Sequence, residues 1–263
     1  MAETWTARAV PDPHAGEWLP VLDVPAPAPQ RRWTVLLRWL LLLPQFIAVM
    51  LLGIAAFFVV IAGWFAALVL GRLPEALHRF LANVVAYQAR VEASAMLLVD
   101  RYPPFTFYDL DFPVRVQQQA TPLNRLAVLF RIFLMIPAAI ISGLLQSGWA
   151  AVSWVFWLIT LVLGRLPEPV FAASAAVLRY RMRFQSYAMM LTPAYPKRLF
   201  GDDPAGEEPV SATRPLVLGT GATVLVVVFL LLGLVAHVTT NTSVDYGADD
   251  DWTTGSLPFP SSR

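Results

Sequence analysis

The pentapeptide Gly71-Arg72-Leu73-Pro74-Glu75 returns 93 residues later as Gly164-Arg165-Leu166-Pro167-Glu168, and this recurrence decides how the 263 residues are read. Sliding the chain by 93 positions without a gap sets residues 32–103 on 125–196, with 28 of 72 pairs identical. Shared apolar bias does not account for the match, because charges, prolines and tryptophans coincide: Arg32 with Arg125, Arg38 with Arg131, Pro44 with Pro137, Trp64 with Trp157. Downstream, Tyr87 meets Tyr180, Arg90 meets Arg183, and Tyr102-Pro103 meets Tyr195-Pro196. The chain is a tandem duplication. Even the approach to each unit repeats, Pro20-Val21-Leu22-Asp23 lying 93 residues before Pro113-Val114-Arg115-Val116, and each reads as a short β-strand.

Upstream of the pentapeptide, residues 33–70 are apolar apart from Arg38 and a few weakly polar side chains. As one helix this run would extend about 57 Å, against a bilayer core of about 30 Å. The run is therefore two spans turning near Gly53 or one long kinked span, and the second unit, residues 125–163 with the turn signal Gln146-Ser147-Gly148 at its midpoint, favours the hairpin. Downstream, Pro74 and Pro167 open helices of mixed polarity expected over 74–99 and 167–191, with Glu75 and Glu168 facing the positive end of the helix dipole. Glu75, Arg79, Asn83, Tyr87, Arg90 and Ser94 recur every three or four residues, away from Leu77, Val84, Val91 and Leu98. Such a helix is amphipathic. Its arginines favour a place in the membrane interface over a span packed against the other unit.

Hydrophobic residues make up 57% of the chain and charged ones 14%, and the mean hydropathy of +0.58 excludes an ordinary water-soluble enzyme. A net charge of +1 gives no field for nucleic acid. Cysteine is absent, and His14, His78 and His237 form no metal-ligand spacing, so neither a metal nor a cofactor is expected. A last apolar run, 216–238, is long enough for one membrane-spanning helix. The fold expected is an all-α polytopic membrane protein: two tandem units, each an apolar hairpin plus an amphipathic helix, with short extramembrane strands and one C-terminal transmembrane helix. Its parts are a flexible tail (1–18), unit 1 (19–112), unit 2 (113–200), a linker (201–214), the last span (215–238) and an acidic tail (239–263). If each apolar run is a hairpin, the basic residues flank one side, which puts the N-terminus in the cytoplasm and the tail, with its four aspartates, outside.

Three features together resemble one bacterial membrane-protein family, DUF4389: the paired arginines and proline at six-residue steps (Arg125, Arg131, Pro137), the turn from Trp64-Phe65-Ala66 into Gly71-Arg72-Leu73-Pro74, and the ending Asp100-Arg101-Tyr102-Pro103-Pro104-Phe105. The first copy is the closer match; the second has Leu158 for the phenylalanine and ends Pro193-Ala194-Tyr195-Pro196. The resemblance spans about residues 19–200. It implies fold and membrane location and names no substrate.

Candidate chemistry is sparse. Glu75 and Glu168 would form a cation- or proton-handling pair if pseudo-symmetry brought them together; the simpler reading is a helix-start carboxylate beside an arginine. Arg72, Arg90, Arg165 and Arg183 would gather anionic lipid headgroups, with Tyr87 and Tyr180 beside them at the interface between repeats; the simpler reading is arginine reaching for water at the end of a span. Arg38 and Arg131 are expected as interfacial anchors, and Trp64 and Trp157 as packing or belt aromatics. Asp109-Leu110-Asp111 and Asp249-Asp250-Asp251 read as solvated acidic groups. No serine has an identifiable histidine and carboxylate partner. The function expected is a non-catalytic scaffold or accessory subunit of the bacterial plasma membrane, with lipid and other membrane proteins as partners. The alternative is a small transporter or lipid-handling protein using the interface between repeats, and a third class is a membrane-embedded enzyme acting on lipid.

Overall fold

The computed structural model describes residues 18–107, 111–202 and 211–248. Among them the elements run β1 (Val21–Asp23), α1 (Arg32–Leu36), α2 (Arg38–Leu70), α3 (Glu75–Ala95), β2 (Arg115–Gln117), α4 (Arg125–Leu129), α5 (Arg131–Leu163), α6 (Glu168–Ala188) and α7 (Thr220–Ala248). Every helix bound of the first unit recurs 93 residues later, so the duplication read from the sequence is a structural one.

The expected hairpins are not formed. α2 and α5 are each one unbroken helix of 33 residues, about 50 Å long by helix rise. Gly53 costs a helix only about 1 kcal/mol relative to alanine, too little to break a long apolar run. Gly148 reports a close approach rather than a turn. A Cβ there would lie 1.7 Å from the Phe229 carbonyl oxygen of α7, and one at Gly233 would lie 2.0 Å from that of Leu144. These two pairings run in opposite directions along the chain, so α5 and α7 pack antiparallel, backbone against backbone. Ser147 Oγ donates to the Gly143 carbonyl 2.5 Å away, one helical turn back. The chain reverses instead at Gly71 and Gly164, whose φ values of 69° and 71° lie in the left-handed region that glycine adopts without strain. Pro74 and Pro167 then set the entry into α3 and α6.

α3 and α6 are shorter than expected, closing before Leu97 and Met190, which take φ near +60°. The Leu98 and Leu191 amides donate back to the Ala93 and Ser186 carbonyls, each at 2.9 Å. These helices do not lie free on a surface. They run antiparallel through the centre of the molecule, joined by an ion pair of 3.1 Å from Arg181 to Glu92, and α6 is buried along most of its length. The polar stripe of α3 is exposed only at Glu75 and Arg79; Tyr87, Arg90 and Ser94 are buried.

Three layers result. On one face β1 and β2, the short strands expected from the repeated lead-in, pair antiparallel with Leu22 opposite Val116. The linker after α3 runs back along it on this face. Leu97 at the helix end accepts from the Gln30 side chain, the Phe107 ring packs on Tyr87 and Phe80, and the Leu123 amide reaches Gly71, where the helix began. α3 and α6 form the middle layer. α2, α5 and α7 form the third, with side chains such as Phe57, Phe58, Phe133, Trp154 and Leu231 more than half exposed. Three helices are therefore long and apolar enough to cross a membrane, Arg38–Leu70, Arg131–Leu163 and Thr220–Thr239, in place of the five spans that hairpins would give.

Residues 211–214, expected as free linker, are built into the fold. Thr213 Oγ1 accepts from the Val24 amide at 2.9 Å and donates to the Leu22 carbonyl at 2.6 Å, and Ser211 donates to Asp23. The last helix begins at Thr220 and continues to Ala248, past the expected end at 238. Residues 1–17 of the tail, Asp109 and Leu110, and Asp249-Asp250-Asp251 lie outside the described residues.

Candidate functional site

The eight residues singled out in the sequence fall into two groups. Arg72, Glu75, Arg165 and Glu168 are exposed at the starts of α3 and α6. Because these helices are antiparallel and meet at Glu92 and Arg181, Glu75 and Glu168 stand at opposite ends, about 45 Å apart by helix rise, and form no carboxylate pair. Glu75 instead accepts from Arg79 one turn on, at 2.5 Å.

The other four, Tyr87, Arg90, Tyr180 and Arg183, are buried. Tyr87 donates to the Gln45 side-chain oxygen, and Gln45 Nε2 donates to the Pro103 carbonyl at 2.6 Å. Arg90 donates to the carbonyls of Thr106 (2.8 Å) and Phe107 (3.0 Å); Arg183 donates to those of Pro20 and Lys197, both at 3.2 Å. These arginines bind the chain's own irregular backbone rather than headgroups, which corrects the lipid-gathering expectation for them. Irregular segments carry carbonyls with no ladder partner, and a guanidinium supplies five donors. Burial, with Arg179 close by, lowers the Arg183 guanidinium to about 10, and burial pushes the Tyr180 phenol up to about 12.

Arg179 and Asp202 were not singled out, since nothing in their spacing marks them. They meet at 2.5 Å, and Asp202 also accepts from the Leu216 amide at 3.1 Å. Burial works to raise the Asp202 carboxyl, but Arg179, the Leu216 amide and Arg183 together hold it below its usual value. Among the described residues no group of three or more metal-ligating side chains assembles.

Arg38 and Arg131, expected as exposed anchors, are each only 4% exposed at the first residue of α2 and α5. Corresponding partners show how their surroundings differ. Arg38 donates to the Val99 carbonyl (2.9 Å) and to Gln30 Oε1 (3.0 Å), and pairs with Asp100 at 3.1 Å. Arg131 keeps the equivalent carbonyl, that of Thr192, and lies 4.1 Å from the centre of the Tyr187 ring. The positions matching Gln30 and Asp100 are Leu123 and Pro193, and among the described residues no carboxylate pairs with Arg131. Its surroundings are also open. Arg131, Ile132 and Met135, the end of α6 at Met189 and Met190, and α2 from Gly53 to Phe65 line an apolar crevice of about 570 Å³.

A family model described as "Domain of unknown function (DUF4389)" matches residues 32–106 and again 125–199, together more than half of the chain. The chain belongs to this family. Each DUF4389 copy opens on the first residue of a short helix, α1 or α4, and takes in the buried arginines and the turn at Gly71 or Gly164; β1, β2 and α7 lie outside both. The difference between Asp100 and Pro193 falls within the DUF4389 copies. No curated protein and no solved structure matches the chain.

Proposed function

We propose that the protein is a non-catalytic membrane scaffold or accessory subunit of the bacterial plasma membrane, holding lipid against α2, α5 and α7. One observation carries this reading: the buried arginines of α3 and α6 are bonded to the irregular backbone of the strand-and-linker face, while the opposite layer exposes long apolar helices and, among the described residues, gathers no convergent polar constellation. Irregular backbone is not tolerated against hydrocarbon. The linker that runs back along α3 therefore belongs on the water side, and α3 and α6 lie along the membrane surface beneath it. Arg72, Arg125, Arg165, Arg179, Arg181 and Lys197 then share one side, which the positive-inside rule assigns to the cytoplasm. α5 then begins and ends on this side, and α7, packed antiparallel along it, leaves the acidic tail on this side too.

The absence of cysteine permits a direct test. Single cysteines replace Arg101 and Ala120, exposed residues of the linker that stand towards opposite ends of α3, and Ser256 in the tail. Labelling of Arg101→Cys, Ala120→Cys and Ser256→Cys from the cytoplasmic side only is the expected result. Labelling of the first two from opposite sides would make α3 a span and overturn the arrangement.

A further inference from the structure

Arg131, at the start of α5, lines a crevice and, among the described residues, lacks the counter-charge that Arg38 has within its own repeat. In unit 1 the buried guanidinium of Arg38 is neutralised by Asp100 and bonded by Gln30. In unit 2 proline and leucine occupy those positions, so Arg131 keeps its positive charge at the wall of a crevice of about 570 Å³. That volume lies within the range of about 300–1,000 Å³ usual for small-molecule sites. A buried charge without a counter-charge is costly, and a bound anion removes that cost.

We infer that this crevice binds the acyl chain of a long-chain fatty acid, with its carboxylate on Arg131. The inference rests on the proposal that α2 and α5 face lipid, since that is where the crevice opens. Three features fix the ligand class. The lining is apolar along α2 from Gly53 to Phe65, which suits a hydrocarbon chain. Arg131 is the one charged residue in it, which suits a single negative charge. No further cluster of donors is present for a phosphoglycerol head and its ester groups, which separates a fatty carboxylate from a phospholipid. The carboxylate would meet, from the crevice, a guanidinium that lies over the Tyr187 ring on one face.

The test uses the full chain in nanodiscs of zwitterionic phosphatidylcholine, titrated with the fluorescent C18 fatty acid cis-parinaric acid. The wild type is expected to saturate at one equivalent per chain above partition into empty nanodiscs. Pro193→Asp restores the internal carboxylate of unit 1 and should weaken binding about tenfold or more, the scale of one charge-assisted hydrogen bond. Gly53→Phe adds a ring where nothing lies within 4 Å of the Cβ position and should block the chain while leaving Arg131 untouched. Both variants are checked for unchanged helix content, and Arg131→Gln is a third. No saturable binding by the wild type, binding by Pro193→Asp equal to it, or an anionic phospholipid retained in the crevice through purification would each overturn the inference. Alkaline carbonate extraction of membranes separates the two claims: a chain that stays in the membrane yet binds no fatty acid sinks this inference alone, and a chain that washes off sinks the membrane reading beneath it.

Discussion

Asp202 shows what one side chain does outside the apolar layer. Its carboxylate faces Arg179, itself almost wholly buried, and caps the Leu216 amide, so it ties the middle of α6 to the approach to α7. Its folded-state carboxyl is held below the ordinary 3.8. The stabilisation is therefore fully present above that value and is lost as pH falls through the lower, folded one. Asp202→Asn should cost about 3–5 kcal/mol at pH 7, the scale for leaving one member of a buried pair alone. Thermal unfolding should show the gap between wild type and variant closing in acid; a gap that stays constant from pH 7 to pH 2 would refute the ionic account. None of this was legible in the sequence. Asp202 lies in a polar stretch with glutamates and prolines, and only the fold brings it to Arg179.

At the level of elements, glycine was read correctly in one place and wrongly in another, for one physical reason. Glycine marks either a backbone that must turn left-handed or one that must be approached closely, and a sequence shows both alike. Gly71 and Gly164 precede a proline by three residues and close a run of helix formers, so the turn reading holds. Gly148 sits beside Gln146 and Ser147 in the midst of such formers, and its partner is the backbone of α7, some 80 residues distant, which periodicity does not report. Gly148→Ala should push α7 away from α5 and cost about 1–3 kcal/mol, as overpacking does. Gly143→Ala, one turn away, where nothing lies within 4 Å of the Cβ position, should cost nothing measurable in the same denaturation series. Equal effects of the two would mean that the α5–α7 contact does not contribute. The buried polar half of α3 escaped notice similarly. A stripe of tyrosine and arginine looks solvent-facing until the linker that covers it is in place.

Across the whole molecule, matched pairs of hydrogen bonds join the two units. Trp64 donates to the Val128 carbonyl (3.1 Å) and Trp157 to that of Val35 (2.7 Å). The Leu123 amide reaches Gly71 (3.0 Å) and the Gln30 amide reaches Gly164 (2.7 Å). Each bond has its twin 93 residues away. Trp64→Phe and Trp157→Phe should each cost about 1 kcal/mol, the net worth of one hydrogen bond. The two sites lie at opposite ends of the α3–α6 pair and share no partner, so the double variant should show the sum within about 0.5 kcal/mol. A marked departure from additivity would mean that the two ends communicate. The repeat itself was fully legible, since insertion-free identity over 72 positions survives any uncertainty about individual elements. Which unit completes which was not, because self-comparison finds equivalent residues and says nothing of contacts between them.

These exchanged bonds bear on the history and assembly of the chain. A protein made of one unit would present the same unfilled carbonyl at Gly71 and the same unspent amide at Gln30, and could satisfy them only against another copy of itself, related by a two-fold axis. Joining the copies through residues 96–124 replaces an encounter that depends on concentration with one that the chain carries with it. It also frees the halves to differ. A symmetric pair must give both arginines the same neighbours, whereas a fused pair can keep Asp100 beside Arg38 and place proline at the matching position near Arg131, and so hold one half with its own counter-charge and one half without in a single molecule.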